Sequence, residues 1–338
     1  MASIKDYKIA TLGSHSALQI LKGAHDEGFE TICICRKGYR KPYESFKVAD
    51  EIIEIEHFHD FFEIEDQLIK KNAILIPHGS FVAYIGPEKV KDIKVMHYGT
   101  RGILEHESDR EKARKWLEKA KCKTPKIFKK PEEIDRPVII KFHGAKGGKG
   151  YFIANSPEDF YDSIKDFPED EKYVIQEYIV GVPMYTHYFY SRVTEELEVM
   201  SFDKRYESNA DSIGRIAARD QLDANIKTSY TITGNMPMVI RESILPEVFE
   251  MGENIIKVSK ELVGDGLFGP FCLEAIVDPN LNFYVFEISA RIVAGTNPYV
   301  DGSPYTWLRY DVPMSTGRRI ALDIKMAIEQ DCLEKVLG

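Results

Sequence analysis

The chain has little of what marks a membrane, secreted or zinc-stabilised protein. It contains no apolar run long enough to span a bilayer, and residues 1–10 lack the apolar core of a signal peptide. Its five cysteines include no C-x-x-C pair, which fits reduced thiols and argues against a structural zinc site. No repeat of fixed period and no low-complexity tract is present. We therefore expect a globular protein of the cytoplasm.

Basic residues are also fewer than acidic ones. The chain has 45 Lys and Arg against 54 Asp and Glu, and the resulting net charge of −9 argues against nucleic acid or an anionic membrane as the main partner. Of its 338 residues, 43% are apolar and 29% are charged, so the chain can form a substantial core and two or three domains. These values favour small molecules as ligands.

Strand and helix signals alternate along the first hundred residues, which indicates a parallel α/β layer. The pattern predicts strands at 9–12, 31–35, 52–55 and 73–76, and helices at 16–27 and 61–71. Ligands of such layers bind outside the carboxyl ends of the strands, where Ser14, His15 and Ser80 are expected to gather. Alternatively, Ser14 only caps a helix and His15 is structural.

Residues 271–291 are predicted to form a β-hairpin around Asp278-Pro279-Asn280, because an apolar run lies on each side of this turn signal. A turn centred between Asn280 and Leu281 pairs Asp278 with Phe283, Ile276 with Val285, and Glu274 with Glu287. Two carboxylates that face each other in an otherwise apolar ladder destabilise it unless a cation lies between them.

The alternation of side chains along a strand places Arg291 on the same face as these two glutamates. Two acids and one arginine suit Mg²⁺ and phosphate, since Mg²⁺ binds through a few carboxylates and gives its remaining positions to water and phosphate oxygens. The alternative is a register slipped by one residue, with one glutamate on a solvated face.

A glycine-rich segment, residues 144–150, separates two predicted strands, and the first of these strands ends in Lys141. Its four glycines let the backbone approach a phosphate chain, and Lys146 and Lys149 supply positive charge. It is not a Walker A motif, because a strand rather than a helix follows it. The alternative is a flexible hairpin tip with solvated lysines.

Three further elements are predicted around these motifs. Ser108 and Glu111 form a capping box for a charged helix that ends near Lys121. Apolar residues at intervals of three and four predict an amphipathic helix over 244–262. Residues 184–190 and 197–202 are expected to form an antiparallel pair.

In their order and spacing, Lys141, the glycine-rich loop, residues 176–181 and the pair Glu274 and Glu287 followed by Arg291 resemble the ATP-grasp superfamily. The resemblance covers nearly the whole chain. It implies a Rossmann-like parallel α/β domain over 1–100, a linker helix and lid subdomain over 101–182, and an α+β subdomain with the metal site over 183–338.

More narrowly, residues 11–18, 287–292 and 295–297 resemble the formate-dependent synthetases of archaeal purine biosynthesis. Members of that family formylate 5-aminoimidazole-4-carboxamide ribonucleotide (AICAR) with ATP and formate. The chain departs from the wider superfamily in having Phe142 where a proline often follows the strand lysine. It also has Ser289 where many members carry a metal-binding asparagine, which puts a third protein ligand in doubt.

The resemblance implies a role for each matching residue. Lys141 and Lys146 are expected to bind the ATP phosphates, and the remaining ATP contacts are Glu177, Tyr178, Ile179, Val180 and Glu207. Glu274 and Glu287 are expected to hold Mg²⁺ or Mn²⁺, while Arg291 faces the transferred phosphoryl group. His15, Ser80 and Asn235 are implied as AICAR contacts, and we add Thr100 and Arg101 as a phosphate clamp because arginine pairs well with phosphate.

The expected reaction phosphorylates formate, because its oxygen is a poor leaving group, and the aromatic amine of AICAR then attacks formyl phosphate. Arg291, Lys146 and His15 are the expected catalytic residues, and the enzyme is expected to be a homo-oligomer. Two alternatives stay open: another ATP-grasp carboxylate–amine ligase with a different acid or amine, and a regulatory nucleotide-binding protein without turnover.

Overall fold

The computed structural model describes residues 3–142, 151–167, 172–224, 226, 229 and 231–338. Within this part of the chain there are three β-sheets, two of five strands and one of four. Lys146 and the rest of the predicted glycine-rich loop lie outside the described residues. None of the described helices is both long and apolar enough to cross a membrane.

The first sheet is parallel throughout, in the order β3-β2-β1-β4-β5. Its strands are β1 (Lys8–Leu12), β2 (Glu30–Arg36), β3 (Glu51–Ile55), β4 (Ala73–Leu75) and β5 (Met96–His97). Its helices are α1 (Ala17–Asp26), α2 (Lys41–Phe46), α3 (Phe61–Lys70), α4 (Phe81–Ile85) and α5 (Pro87–Val90). Strand β2 buries its five central residues, as expected for a parallel strand covered on both faces. The predicted α/β layer is therefore confirmed.

Two helices connect this layer to the rest of the chain, α6 (Arg101–Ser108) and α7 (Arg110–Lys119). The predicted capping box is wrong, because Ser108 ends α6 and Asp109 caps α7 instead. The Asp109 carboxylate accepts hydrogen bonds from the backbone N–H groups of Glu111 and Lys112 at 2.9 and 3.0 Å. A single aspartate that ends one helix and caps the next allows the chain to turn without a loop.

The second sheet is antiparallel and carries the predicted phosphate-binding hairpin. Its order is β6-β9-β7-β8. Its elements are β6 (Ile127–Phe128), β7 (Val138–Phe142), β8 (Tyr151–Ala154), α8 (Pro157–Ser163) and β9 (Tyr173–Glu177). Strands β7 and β8 pair as predicted, with Lys141 opposite Tyr151, so the glycine-rich segment joins two paired strands.

The third sheet is antiparallel and lies in the C-terminal part of the chain, with the strand order β12-β11-β10-β13-β14. Its strands are β10 (Val182–Tyr190), β11 (Leu197–Glu207), β12 (Ile232–Met238), β13 (Gly269–Val277) and β14 (Phe283–Ser289). The accompanying helices are α9 (Ala210–Ile213), α10 (Ala218–Asp223), α11 (Leu245–Leu262), α12 (Pro304–Arg309) and α13 (Thr316–Glu329). Helix α11 packs its apolar face on one side of this sheet, as its periodicity predicts.

The N-terminal layer meets the third sheet through helices α1 and α13. Their backbones approach closely at Gly23 and Gly317, where a Cβ would overlap the backbone of Arg318 or of Gln19. A shared apolar core that includes Ile20 and residues of α13 extends this contact. This packing brings the residues that follow β1 and β4 next to the segment that follows β14, where His78 forms a β-bridge with Ile292.

Candidate active site

Glu274 on β13 and Glu287 on β14 lie directly opposite each other, as predicted. The pairs nearer the turn are Val277 with Phe283, Ile276 with Tyr284 and Ala275 with Val285. The predicted pairs of Asp278 with Phe283 and of Ile276 with Val285 are therefore wrong by one residue.

The one-residue shift in strand pairing arises at the turn, and a β-bulge farther along the hairpin removes it. The Asp278 carboxylate accepts the backbone N–H of Asn282 at 2.9 Å and so organises a longer loop than predicted. A bulge next to Glu274 leaves Phe286 as the extra residue on β14. The bulge restores the pairing of Glu274 with Glu287.

Glu274 is buried, and only one of its two carboxylate oxygens has a partner. Its Oε1 accepts a hydrogen bond from Nη2 of Arg205 at 2.6 Å, and the Arg205 guanidinium lies 4.1 Å from the centre of the Tyr185 ring. Oε2 has no hydrogen-bond partner among the described residues. Burial raises the pKa of Glu274 to about 7, because the lost hydration outweighs the attraction of Arg205. An orphaned, buried carboxylate oxygen is suited to a cation.

The residues present fit a divalent metal that is shared with a nucleotide. Glu287 is exposed and faces Glu274 across the ladder. In the described ranges no three His, Cys, Asp or Glu side chains gather as a metal site. Mg²⁺ commonly binds proteins through one or two carboxylates and takes phosphate oxygens and water for its other positions.

Arg291 follows β14 and is held by Glu107 of α6. Nη2 of Arg291 lies 2.5 Å from Oε1 of Glu107, whose other oxygen accepts the backbone N–H of Ala290 at 2.8 Å. Nε of Arg291 is buried and has no partner in the part of the chain that the structure describes. A guanidinium that one carboxylate anchors keeps further N–H donors and is suited to an anion.

His15 lies at the carboxyl end of β1, next to the loop that contains Ser80. Its ring stacks on that of His78 with centroids 5.3 Å apart, and it covers Gly79 so closely that a Cβ there would overlap it. The backbone N–H of Ser80 donates to Nδ1 of His78 at 3.3 Å. His15 has a φ of 55°, which is uncommon for a residue other than glycine. The structure therefore brings His15 and Ser80 together.

The ring of His15 is neutral near pH 7. Desolvation in this crevice, together with the positive charges of Arg291 and Arg205, lowers its pKa to about 4. Both arginines belong to the C-terminal part, so the N-terminal crevice opens onto the side of the third sheet that carries the glutamates.

The 3₁₀ helix Ala294–Tyr299 ties the two sides of this cleft together. Nε2 of Gln19 on α1 donates to Oγ1 of Thr296 at 2.5 Å and to Oδ1 of Asn297 at 2.8 Å. Nδ2 of Asn297 donates to the carbonyl of His15 at 3.1 Å. The run 295–297 therefore positions His15 over the third sheet.

Asn235 lies within β12 rather than in the turn that its neighbours Gly234 and Pro237 indicate. Its Nδ2 donates to Oδ2 of Asp203 at 2.7 Å, and Oδ1 of Asp203 is bonded to Nε2 of His187 at 2.6 Å. A carboxylate can only accept, so this contact orients the Asn235 amide. Its Oδ1 is thereby left to accept a hydrogen bond from a ligand.

Lys141, a residue of the second sheet, lies near the hairpin of β13 and β14 that carries Glu274 and Glu287. Its Nζ lies 3.4 Å from Oε1 of Gln176 and 5.1 Å from the centre of the Phe286 ring, the residue at the bulge. Burial lowers the pKa of Lys141. The structure therefore brings Lys141 close to β14, as a phosphate contact requires.

The predicted ATP contacts at residues 177–180 lie at the end of β9, a strand of the second sheet. The Glu177 carboxylate has structural partners, the backbone N–H of Lys126 and the guanidinium of Arg136, both at 3.1 Å. The backbone N–H of Tyr178 donates to the carbonyl of Pro137 at 2.9 Å. Beyond it, Ile179 is half-buried and Val180 is 72% exposed.

Glu207 ends β11 and is half-buried. Its pKa is raised by burial and by the neighbouring carboxylate of Asp211.

Thr100 and Arg101, the predicted phosphate clamp, both donate hydrogen bonds to backbone carbonyls. Oγ1 of Thr100 donates to the carbonyl of Gly266 at 2.6 Å. The Arg101 guanidinium donates to the backbone carbonyls of Ile93 and Val95. These bonds begin α6 and hold the preceding loop, and the phosphate clamp stays a prediction.

Several residues of the site are missing from the sequence-based prediction, namely Arg205, Asp203, His187, Tyr185 and Glu107. The first two carry a signal that could have revealed them. Asp203, Arg205 and Glu207 alternate with other residues, so they share one face of β11. The predicted strand ended at Phe202, which hid this alternation. Glu107 has no local signal, because its contact with Arg291 is entirely tertiary.

Comparison with known proteins places this geometry in a family. A model described as a domain of unknown function, DUF1297, matches residues 163–338, and one described as a protein of unknown function, DUF1246, matches residues 9–128. The chain is 56% identical, over 98% of both chains, to the 5-formaminoimidazole-4-carboxamide-1-(beta)-D-ribofuranosyl 5′-monophosphate synthetase of Pyrococcus abyssi. The chain belongs to this synthetase family.

Solved structures agree with membership of the synthetase family. The crystal structure of the IMP biosynthesis protein PurP from Thermococcus kodakaraensis is similar, with a TM-score of 0.79 and 29% identity over 98% of this chain and 100% of that one. The ADP complex of N5-carboxyaminoimidazole synthetase from Staphylococcus aureus has a TM-score of 0.67 at 16% identity, over 94% and 77% of the two chains. The chain therefore has the ATP-grasp fold, which confirms the expected fold class.

Proposed function

We propose that this chain is an ATP-dependent ligase that formylates AICAR with formate, releasing ADP and phosphate, in the synthesis of IMP. The observation that carries the proposal is the 56% identity to the Pyrococcus abyssi synthetase over nearly the full length of both chains. The geometry agrees with it, because Asn297 of the C-terminal part donates to the carbonyl of His15, and the charges of Arg291 and Arg205 act on the His15 ring.

In the first step, an oxygen of formate attacks the γ-phosphorus of ATP. The bond between that phosphorus and the β,γ-bridging oxygen breaks, and ADP leaves as formyl phosphate forms. Arg291, anchored by Glu107, supplies positive charge to the phosphoryl group, while Lys141 and Lys146 bind the phosphate chain. The contribution of these residues is positioning and charge stabilisation.

Glu274 and Glu287 are proposed to hold Mg²⁺ or Mn²⁺. The metal, when bound, neutralises the negative charge of the phosphates. Arg205 already supplies one positive charge to Glu274, so the pair of glutamates is not left uncompensated when no metal is bound.

In the second step, the amino nitrogen of AICAR attacks the formyl carbon. The bond from that carbon to the phosphate oxygen breaks, and inorganic phosphate and a proton are released. We propose that His15, Ser80 and Asn235 hold AICAR for this attack. Asn235 presents an acceptor oxygen to an N–H or O–H of the nucleotide, and neutral His15 orients the amine or the formate.

The roles of Glu177, Tyr178, Ile179, Val180 and Glu207 in ATP binding remain part of the proposal. So do the two domain boundaries, at residues 100 and 182, and a homo-oligomeric assembly in the cytoplasm. The described contacts of Glu177 favour backbone rather than side-chain contacts to the base from this segment.

The test is release of ADP from ATP and Mg²⁺ with formate and AICAR supplied together and singly. The proposal expects release that requires both, with one formylated nucleotide formed for each ADP. Release that requires AICAR and a different carboxylate would indicate another ATP-grasp ligase. ATP binding without turnover under every combination would indicate a regulatory protein.

A further inference from the structure

Arg205 lies between the two halves of the proposed reaction. Along the sheet, Arg205 on β11 is the direct partner of Asn235 on β12, which is proposed to hold the acceptor nucleotide. In the other direction its Nη2 reaches across β10 to Oε1 of Glu274 at 2.6 Å. The guanidinium crosses above the ring of Tyr185, 4.1 Å from its centre. It therefore spans the distance from the nucleotide contact to the metal carboxylate.

Formate has to lie at this junction. Its oxygen must reach the γ-phosphate beside the metal, and its carbon must later be within reach of the amine. A small carboxylate has no side chain for apolar recognition, so its binding depends on a cation that offers directed N–H donors. Arginine is suited to this, because its planar fork matches a carboxylate.

The other two cations considered for this site, Arg291 and Lys141, make contacts that fit other roles in the proposed reaction. Arg291 is anchored on Glu107, and Lys141 is half-buried beside Phe286 and Gln176 at the second sheet. The Arg205 side chain, in contrast, is 25% exposed, so a small anion can reach it. Its positive charge is also one of the causes of the low pKa of His15, which places it within electrostatic reach of the N-terminal crevice.

We propose that the Arg205 guanidinium binds the carboxylate of formate and holds it between the γ-phosphate and the amine. A guanidinium has five N–H donors, so Arg205 can keep its hydrogen bond to Glu274 while it donates to formate. The contact with Glu274 and the stacking on Tyr185 hold the side chain at the junction. This inference rests on the proposed function and assigns the acid-binding residue within it.

The test varies formate at saturating ATP and AICAR for wild type, Arg205→Lys and Arg205→Gln. For Arg205→Gln the KM for formate should rise ~10²-fold, as loss of a charge-assisted carboxylate contact predicts, with the KM for ATP and for AICAR changed by less than about 3-fold. Arg205→Lys keeps the positive charge but lacks the planar fork of donors. Its KM for formate should therefore lie between those of wild type and Arg205→Gln. In saturation-transfer NMR, the signal of formate bound in the presence of ADP, Mg²⁺ and AICAR should be lost for Arg205→Gln.

Arg309→Gln is the matched control, because Arg309 also pairs with a carboxylate, Glu198 at 3.4 Å, and also lies over a tyrosine ring, that of Tyr310. Its kinetic constants should equal those of wild type. An unchanged formate KM and NMR signal in both Arg205 variants, or a defect confined to the Mg²⁺ requirement, would overturn the inference and leave Arg205 as a neutraliser of Glu274. Wild-type turnover that needs no formate would instead refute the proposed function.

Discussion

Replacement of Glu274 by glutamine should abolish ligation and yet stabilise the metal-free protein. The Glu274 side chain is 2% exposed, and Oε2 lacks a partner among the described residues. Burial raises the pKa of this carboxyl from 4.5 to about 7. At about 1.4 kcal/mol per pKa unit, its ionisation in the folded protein then costs ~3 kcal/mol more than in the unfolded chain.

The sign of the pH dependence follows from which state binds the proton more tightly. Between the unfolded and folded pKa values of 4.5 and about 7, the folded protein holds more protons than the unfolded chain, so stability falls as the pH rises. The penalty is absent below this window and complete above it. Glutamine avoids this ionisation penalty but loses the ion pair with Arg205. We therefore expect Glu274→Gln to raise the free energy of unfolding by ~1–3 kcal/mol at a pH above this window and to leave it unchanged at a pH below the window.

The assay is urea unfolding of both proteins without metal, followed by tryptophan fluorescence across this pH range. Glu287→Gln is the control. Because Glu287 is exposed, its replacement should change the free energy of unfolding by less than ~0.5 kcal/mol while ligation is lost as well. A Glu274→Gln protein that is less stable than wild type at every pH would refute this account of the burial penalty. Near wild-type turnover of either variant in Mg²⁺ would remove that glutamate from the metal site.

Three further predictions concern the two substrate pockets. His15→Ala should raise the KM for AICAR and lower kcat ~10²-fold with ATP binding unchanged, because the amine is misplaced. Calorimetric titration with each nucleotide separately checks this. Weakened ATP binding together with normal AICAR binding would contradict it. Asp203→Asn frees the Asn235 amide to rotate, so the KM for AICAR should rise ~10-fold while the KM for ATP stays constant. Lys146→Ala should weaken ATP binding ~10²-fold with AICAR affinity unchanged, and an equal loss of both would show that the loop does not serve the phosphates alone.

The sequence predicted those parts of the site that local pattern controls. Strand ends placed His15 and Ser80 at one edge of a parallel layer, since the carboxyl ends of parallel strands share an edge. The apolar runs around Asp278 predicted the hairpin and the facing pair Glu274 and Glu287. The detailed register failed near the turn, because side-chain hydrogen bonds of Asp278 set the loop length and a bulge then compensated for it.

Side chains that act through distant partners escaped the prediction. Arg101 is predicted to bind phosphate, and the sequence did not show that its guanidinium also donates to backbone carbonyls that the chain brings alongside only after folding. Asn235 resembled a turn residue, because glycine and proline flank it, whereas its place in β12 depends on pairing with β11. A one-dimensional pattern contains no information about such partners.

By itself the sequence determined the class of the protein and the residue types that its chemistry requires. Periodicity specifies which segments become strands and helices, because it depends on neighbours in the chain, and the ordered motifs resemble those of the ATP-grasp superfamily. Only the tertiary structure decided that Arg205 lies between Asn235 and Glu274 and that Glu107 anchors Arg291. It also left one oxygen of Glu274 without a partner. These features arise from packing between segments far apart in sequence, where burial and unpaired charge set the properties of each group.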